Sequence, residues 1–105
     1  YEVAAFFEPS TVAIHALYQA DYKDGGTVAV LGGGNIGLFT LQWIKIFGAK
    51  KVVVAEAGIS QGWEGFATSK NDLFTINRFG TSAPGDVVAK ALGLTAENLL
   101  KIIES

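Results

Sequence analysis

The sequence predicts an α/β fold with a small parallel sheet of about three strands and flanking helices. Three observations carry this reading. Two short β-branched runs, Thr27–Leu31 (TVAVL) and Lys51–Ala55 (KVVVA), read as buried strands. Between them lies one helix of about a dozen residues, Ile36–Phe47, closed by Gly48. Strand, helix and strand in that order form a βαβ unit, whose strands are parallel neighbours joined by a right-handed crossover.

The remaining elements follow in order. Ala4–Ala20 reads as a helix with Glu8 and Pro9 at its start, where a carboxylate and a proline both suit the N-terminus. Val12, Ala13, Ala16, Leu17 and Ala20 keep helical spacing, while Ile14 and Tyr18 make the other face apolar too. Such a helix is normally covered on both sides. Asp21–Gly26 ends it in a turn. In the crossover helix, Ile36, Thr40, Trp43, Ile44 and Phe47 share one stripe. Beyond the second strand, Ser60 can cap a short helix through Ser69, with Trp63 and Phe66 turned inward. Leu73–Phe79 alternates as a half-exposed edge strand does, with Leu73–Arg78 as the part expected to pair. Pro84 opens a helix that runs to Leu92 and stops at Gly93, and Thr95 caps a last one. With no repeat, linker or low-complexity segment, residues 1–105 read as a single α/β domain.

Composition excludes several classes. Half of the 105 residues are hydrophobic and 17% are charged, which is incompatible with a disordered tail. A net charge of −2 leaves no basic footprint for nucleic acid. No apolar run approaches the roughly 20 residues of a membrane span. The absence of cysteine removes disulfides and thiolate metal sites. No charged-then-apolar leader opens the sequence, so a cytoplasmic origin is expected. Methionine is absent even from position 1, as in a chain processed or excised from a longer one.

Thirteen glycines carry the functional signal. Gly32, Gly34 and Gly37 form G-x-G-x-x-G between the first strand and the crossover helix, with Asn35 and Ile36 between the last two. In a dinucleotide-binding turn the first glycine permits the tight bend, and the second lets a pyrophosphate approach the backbone. The third lets helix and strand pack closely. The phosphate charge then lies against free amides at the helix N-terminus. Glu56 follows Gly37 by 19 residues, at the end of the second strand, where an acid accepts ribose hydroxyls. Strands this apolar need both sides buried, so the N-terminal helix and one or both C-terminal helices are expected to complete a three-layer, Rossmann-like half domain. The acid favours NAD over NADP, whose 2′-phosphate it would repel. A glycine-rich turn that binds nothing, with Glu56 merely solvated, is the alternative.

Other residues read more blandly. His15 is the sole histidine and, lacking a partner pattern, reads as a packed helix residue. Trp43 and Trp63 read as core or interface rather than ligand platforms, and Arg78 as half of an ion pair. No catalytic set can be assembled.

Two resemblances add to this. Residues 1 to about 56 resemble the zinc-containing medium-chain dehydrogenases, close to the polyol branch of sorbitol or galactitol-phosphate type. The carrying stretches are Ala4–Leu17 (AAFFEPSTVAIHAL), Gly25–Val54 and the acid Glu56. The resemblance implies an NAD role for Gly32, Gly34, Asn35, Ile36, Gly37 and Glu56, and places Glu8 at the family's catalytic zinc. Residues 56–105 resemble the C-terminal end of transketolase, through Glu56–Phe66 (EAGISQGWEGF) and Asn77–Ile103, with Arg78-Phe79-Gly80 and Ser82-Ala83-Pro84 most diagnostic. A recombinant chimera or a fusion of two genes would each produce this join.

The resemblances imply an NAD-binding fragment of an oxidoreductase without its zinc-binding catalytic part. Zinc belongs to the longer parent family, and the expected ligand is an adenine nucleotide. The alternatives are a transketolase C-terminal domain with a structural or assembly role, and a fold chimera without selected function. Tyr1, Phe6, Phe7, Phe39, Trp43 and Ile46 exceed what so small a sheet can bury, so a homo-oligomer, as a dimer, is expected.

Overall fold

A computed structural model describes all 105 residues. The elements are α1 (Phe7–Gln19), β1 (Thr27–Leu31), α2 (Asn35–Ile46), β2 (Lys51–Ala55), β3 (Leu73–Phe74), α3 (Gly85–Ala91) and α4 (Ala96–Glu104). Single 3-10 turns precede α1 at Ala4–Phe6 and β3 at Lys70–Asp72. The three strands form one open parallel sheet in the order β1-β2-β3. Its register runs from Thr27 beside Lys51 to Leu31 beside Ala55, then Val54 beside Leu73 and Ala55 beside Phe74. This is the α/β architecture the β-branched runs and the intervening helix predict.

Alternation along the strands decides what each face meets. Val30, Val52 and Val54 join Leu41 and Ile44 of α2 and Leu17 of α1 in the main core. Trp43, Phe47, Trp63, Phe66 and Leu73 pack around it, half-buried. Alternation turns Val53 to the other face; it too is fully buried, and α4 packs against β2. The half-buried Leu99, Ile102 and Ile103 give α4 an apolar side.

Glycine stops both α2 and α3 by the same geometry. At Gly48 (φ +70°) the chain turns left-handed, its amide reaches Lys45 O, and the Ala49 amide reaches Ile44 O. At Gly93 (φ +78°) the equivalent bonds run to Lys90 O and, from Leu94, to Ala89 O. Both satisfy carbonyls that a helix end leaves free. Thr95 then caps α4, its hydroxyl oxygen accepting the Asn98 amide at 3.3 Å.

Several expectations are corrected. No helix forms over 60–69; the segment is a chain of turns, because Gly62 adopts φ +95°, which no helix admits. Trp63 and Phe66 are nonetheless turned inward. The third strand pairs only over Leu73–Phe74, not to Arg78, because its partner β2 ends at Ala55. After Glu56 donates to Phe74 O, pairing shrinks to a single bond from Ile76 to Gly58 O. α1 begins at Phe7 rather than Ala4, and it is covered on one side only. Ala13 and Leu17 are buried, whereas Val12 and Tyr18 stay exposed. His15 is exposed rather than packed, and Arg78 is exposed without an ion pair. In α2, Leu41 and Ile44 are the buried positions, and Ile36 of the expected stripe is exposed.

The surface is large for the mass. The accessible area is 7028 Å², against about 5,700 Å² for a compact monomer of this size. The radius of gyration is 14.8 Å, against about 13 Å. No helix is long and apolar enough to cross a membrane.

Candidate functional site at the glycine turn

The turn from β1 into α2 is built from glycines under unlike constraints. Gly32 sits at φ +98°, a left-handed conformation that L side chains rarely adopt, and its amide extends the sheet by donating to Ala55 O at 2.8 Å. Gly34 is the extended N-cap of α2, and a methyl group there would meet nothing within 4 Å. At Gly37 a methyl carbon would lie 2.1 Å from Gly32 O, so helix and turn approach too closely for any side chain. A bend, an open backbone and a close packing contact are the three requirements of the dinucleotide turn.

Asn35, Ile36 and Gly37 open α2, and their amides belong to the first helical turn, which has no partner within the helix. Gly34 offers no capping side chain to them. Asn35 and Ile36 are exposed. The positive end of the helix is therefore free to meet an anion.

Glu56 leaves the end of β2 half-buried, beside this turn. Its Oε2 accepts the Gly33 amide at 2.5 Å. Gly33 is buried between two exposed glycines, because the Trp63 indole lies on it: a methyl carbon at position 33 would be 2.4 Å from Cη2 and Cζ2 of the ring. Gly33 and Trp63 are the residues that motif reading passes over. Position 33 is a free position of the motif, and only the run of three glycines hinted that a neighbour would press on it.

Trp63 is held by its own turn. Its amide donates to Ser60 O, while the Glu64 carboxylate accepts the Gly62 amide at 2.9 Å and the Ser60 hydroxyl at 3.4 Å. Hydrogen bonds from the backbone at Glu64 and Gly62 and from Ser60, with the charge of Lys70, keep the Glu64 carboxyl below its ordinary pKa against a smaller desolvation effect. Lys45 reaches across from α2 to Gly65 O at 2.7 Å and lies 5.7 Å from the Phe66 ring centre.

Glu8 lies elsewhere, exposed in the first turn of α1. Its neighbour Pro9 lines a cleft of about 310 Å³ with Phe6, Asn35, Leu38, Phe39 and Gln42, between the starts of α1 and α2. No three His, Cys, Asp or Glu side chains come together to hold a metal. One exposed carboxylate does not fit the three-ligand requirement of a catalytic zinc.

Comparison with known proteins divides the chain. The family model described as the transketolase-like TK C-terminal domain matches residues 44–95. The transketolase of Treponema pallidum (strain Nichols) is 51% identical over 59 residues, 56% of this chain and 9% of that protein. The sorbitol dehydrogenase of Bacillus subtilis (strain 168) is 39% identical over 56 residues, 53% of this chain and 16% of that protein. The galactitol 1-phosphate 5-dehydrogenase of Escherichia coli (strain K12) is 36% identical over 83 residues, 79% of this chain and 23% of that protein. No solved structure matches.

The chain thus spans less than a quarter of each of these three relatives. The junction is broader than a join at Glu56. The transketolase-like match begins at residue 44, inside α2, and an alignment of 83 residues in a 105-residue chain necessarily runs past position 56. The chain resembles zinc-type alcohol and polyol dehydrogenases and the transketolase C-terminal domain at once, and the two likenesses overlap from the last residues of α2 through β2.

Proposed function

We propose that this chain is a dinucleotide-binding fragment related to the zinc-type polyol dehydrogenases, folded as one α/β domain and catalytically incomplete by itself. Its ligand is the adenosine-diphosphate part of NAD. The observation that carries this reading is the unlike constraint at each glycine: Gly32 bent at positive φ, Gly34 open, Gly37 pressed on Gly32 O. Glu56 at the end of the neighbouring parallel strand supplies the ribose acceptor.

In this reading the amides of Gly34, Asn35, Ile36 and Gly37 meet the diphosphate, and the Glu56 carboxylate turns an oxygen to the ribose hydroxyls. NAD, when bound, supplies hydride chemistry; this chain supplies binding alone. A few such hydrogen bonds support a dissociation constant on the order of 1 mM, about −4 kcal/mol. An NMR titration with ADP and NAD tests it: amide shifts clustered at 32–37 and 56 are expected. No localised shift at several millimolar would remove the reading.

A second reading, favoured by the match over residues 44–95, is a transketolase-like C-terminal domain with a structural or assembly role and no nucleotide. The same titration separates the two. Under either, the exposed Tyr1, Phe6, Phe7 and Ile46 fit a chain that pairs with a second copy.

A further inference from the structure

Gly33 is enclosed from two directions at once. The Trp63 indole fills the space a side chain would occupy there, and Glu56 Oε2 is engaged by the Gly33 amide. A ribose that presents two vicinal hydroxyls to Glu56 must lie beside this same residue. Gly34, Asn35 and Ile36, by contrast, are exposed, and a methyl group at Gly34 would meet nothing within 4 Å. The diphosphate end of the turn is open and its adenosine end is covered.

The cover is carried by irregular chain. Residues 60–66 contain no helix or strand, and Gln61 and Gly62, just before the indole, are both exposed. The Glu64 carboxylate and the backbone bonds of Trp63 and Phe66 hold the turn together, while Lys45 to Gly65 O, the Ser60 amide to Asn77 Oδ1 and the packing of Trp63 and Phe66 on the core tie it to the rest of the fold. Segments of this kind open locally at lower cost than a sheet or a packed helix.

We propose that Trp63 is a specificity-determining residue of the glycine turn: it admits a bare diphosphate without moving, and adenosine diphosphate only when the indole swings off Gly33. This rests on the nucleotide-binding reading above. The apparent affinity for ADP is then reduced by the fraction of molecules with the indole displaced.

The chain contains two tryptophans, Trp43 and Trp63, so two indole N–H resonances report the two rings separately. The unmodified chain and Trp63→Ala are titrated with inorganic pyrophosphate and with ADP. Pyrophosphate is expected to shift the amides of 34–37, leave the Trp63 indole signal in place and bind both proteins equally. ADP is expected to move the Trp63 signal, and to bind Trp63→Ala at least tenfold more tightly. Should Trp63→Ala not fold, the indole signal of the unmodified chain decides alone. ADP saturating the turn with the Trp63 signal unmoved overturns the proposal and leaves nucleotide binding intact. Pyrophosphate and ADP both failing to shift residues 32–37 overturns the nucleotide-binding reading, and the role of Trp63 with it.

Discussion

The Glu56 carboxylate accepts the Gly33 amide at 2.5 Å, fastening the end of β2 to the turn that follows β1. Gly33 is buried, so losing this acceptor leaves its amide without a partner. Glu56→Ala should therefore cost about 1–3 kcal/mol, the desolvation penalty of an unsatisfied donor. Glu56→Gln keeps an acceptor oxygen and should cost less than Glu56→Ala. Urea denaturation of the two variants checks the order; equal losses would show that the amide bond contributes nothing.

Under the proposed nucleotide-binding reading, Gly34 and Gly37 separate binding from folding. A methyl at Gly37 would meet the backbone carbonyl of Gly32, which cannot move without breaking the turn. Gly37→Ala should lose roughly 3 kcal/mol or more, beyond ordinary overpacking. Gly34→Ala meets no neighbour and should cost at most about 1 kcal/mol, the preference for glycine over alanine at an N-cap. It should nonetheless weaken ADP binding by placing a methyl in the ligand's path. Thermal melting and the ADP titration read the two effects independently.

Lys51 joins three segments at the opposite end of the sheet. Its ammonium lies 3.4 Å from the Asp72 carboxylate and donates to Ile102 O at 2.6 Å, at the C-terminal end of α4. Both side chains are largely buried, at 18% and 8% exposure. Removing one member of such a pair strands the other charge, so Lys51→Met should cost about 3 kcal/mol. The amides of α4 should then exchange with solvent faster than those of α2, because the tether to its last carbonyls is lost.

Acid should loosen the turn that carries Trp63. The folded state holds the Glu64 carboxyl below its ordinary pKa, through backbone hydrogen bonds first. A lowered pKa means that the ionised form is the one the fold favours. The contribution is complete above the ordinary carboxylate range and is lost as pH falls through the lowered value. The Trp63 indole signal should shift in that acid window, and in Glu64→Gln that step should vanish. An unchanged acid transition in Glu64→Gln would assign it to another carboxylate.

Self-association should be measurable. The exposed area exceeds that of a compact chain by more than 1,000 Å² (7028 Å² against about 5,700 Å²), comparable to what a stable interface removes from water. Tyr1, Phe7 and Ile46 are each more than 65% exposed, and a net charge of −2 gives little repulsion. Sedimentation across a hundredfold concentration range should show a dimer. A persistent 11 kDa species would contradict this.

What was legible in the sequence was local. The β-branched strands, the helix between them, its stop at Gly48 and the cap at Thr95 follow from steric rules acting over a few residues, and the structure reproduces them. The spacing of Gly32, Gly34 and Gly37 likewise depends only on the turn they occupy. Tertiary structure decided what depends on neighbours distant in sequence. The third strand stopped at Phe74 because its partner β2 ended first, and one left-handed glycine at 62 replaced a helix with turns. His15 lacked a second layer to bury it. Trp63 came to rest on Gly33, thirty residues earlier in the chain, because the crossover from β2 to β3 folds back over the ends of the strands. No periodicity encodes that contact; it exists only once β1 and β2, which carry the two segments at their ends, pair in one sheet.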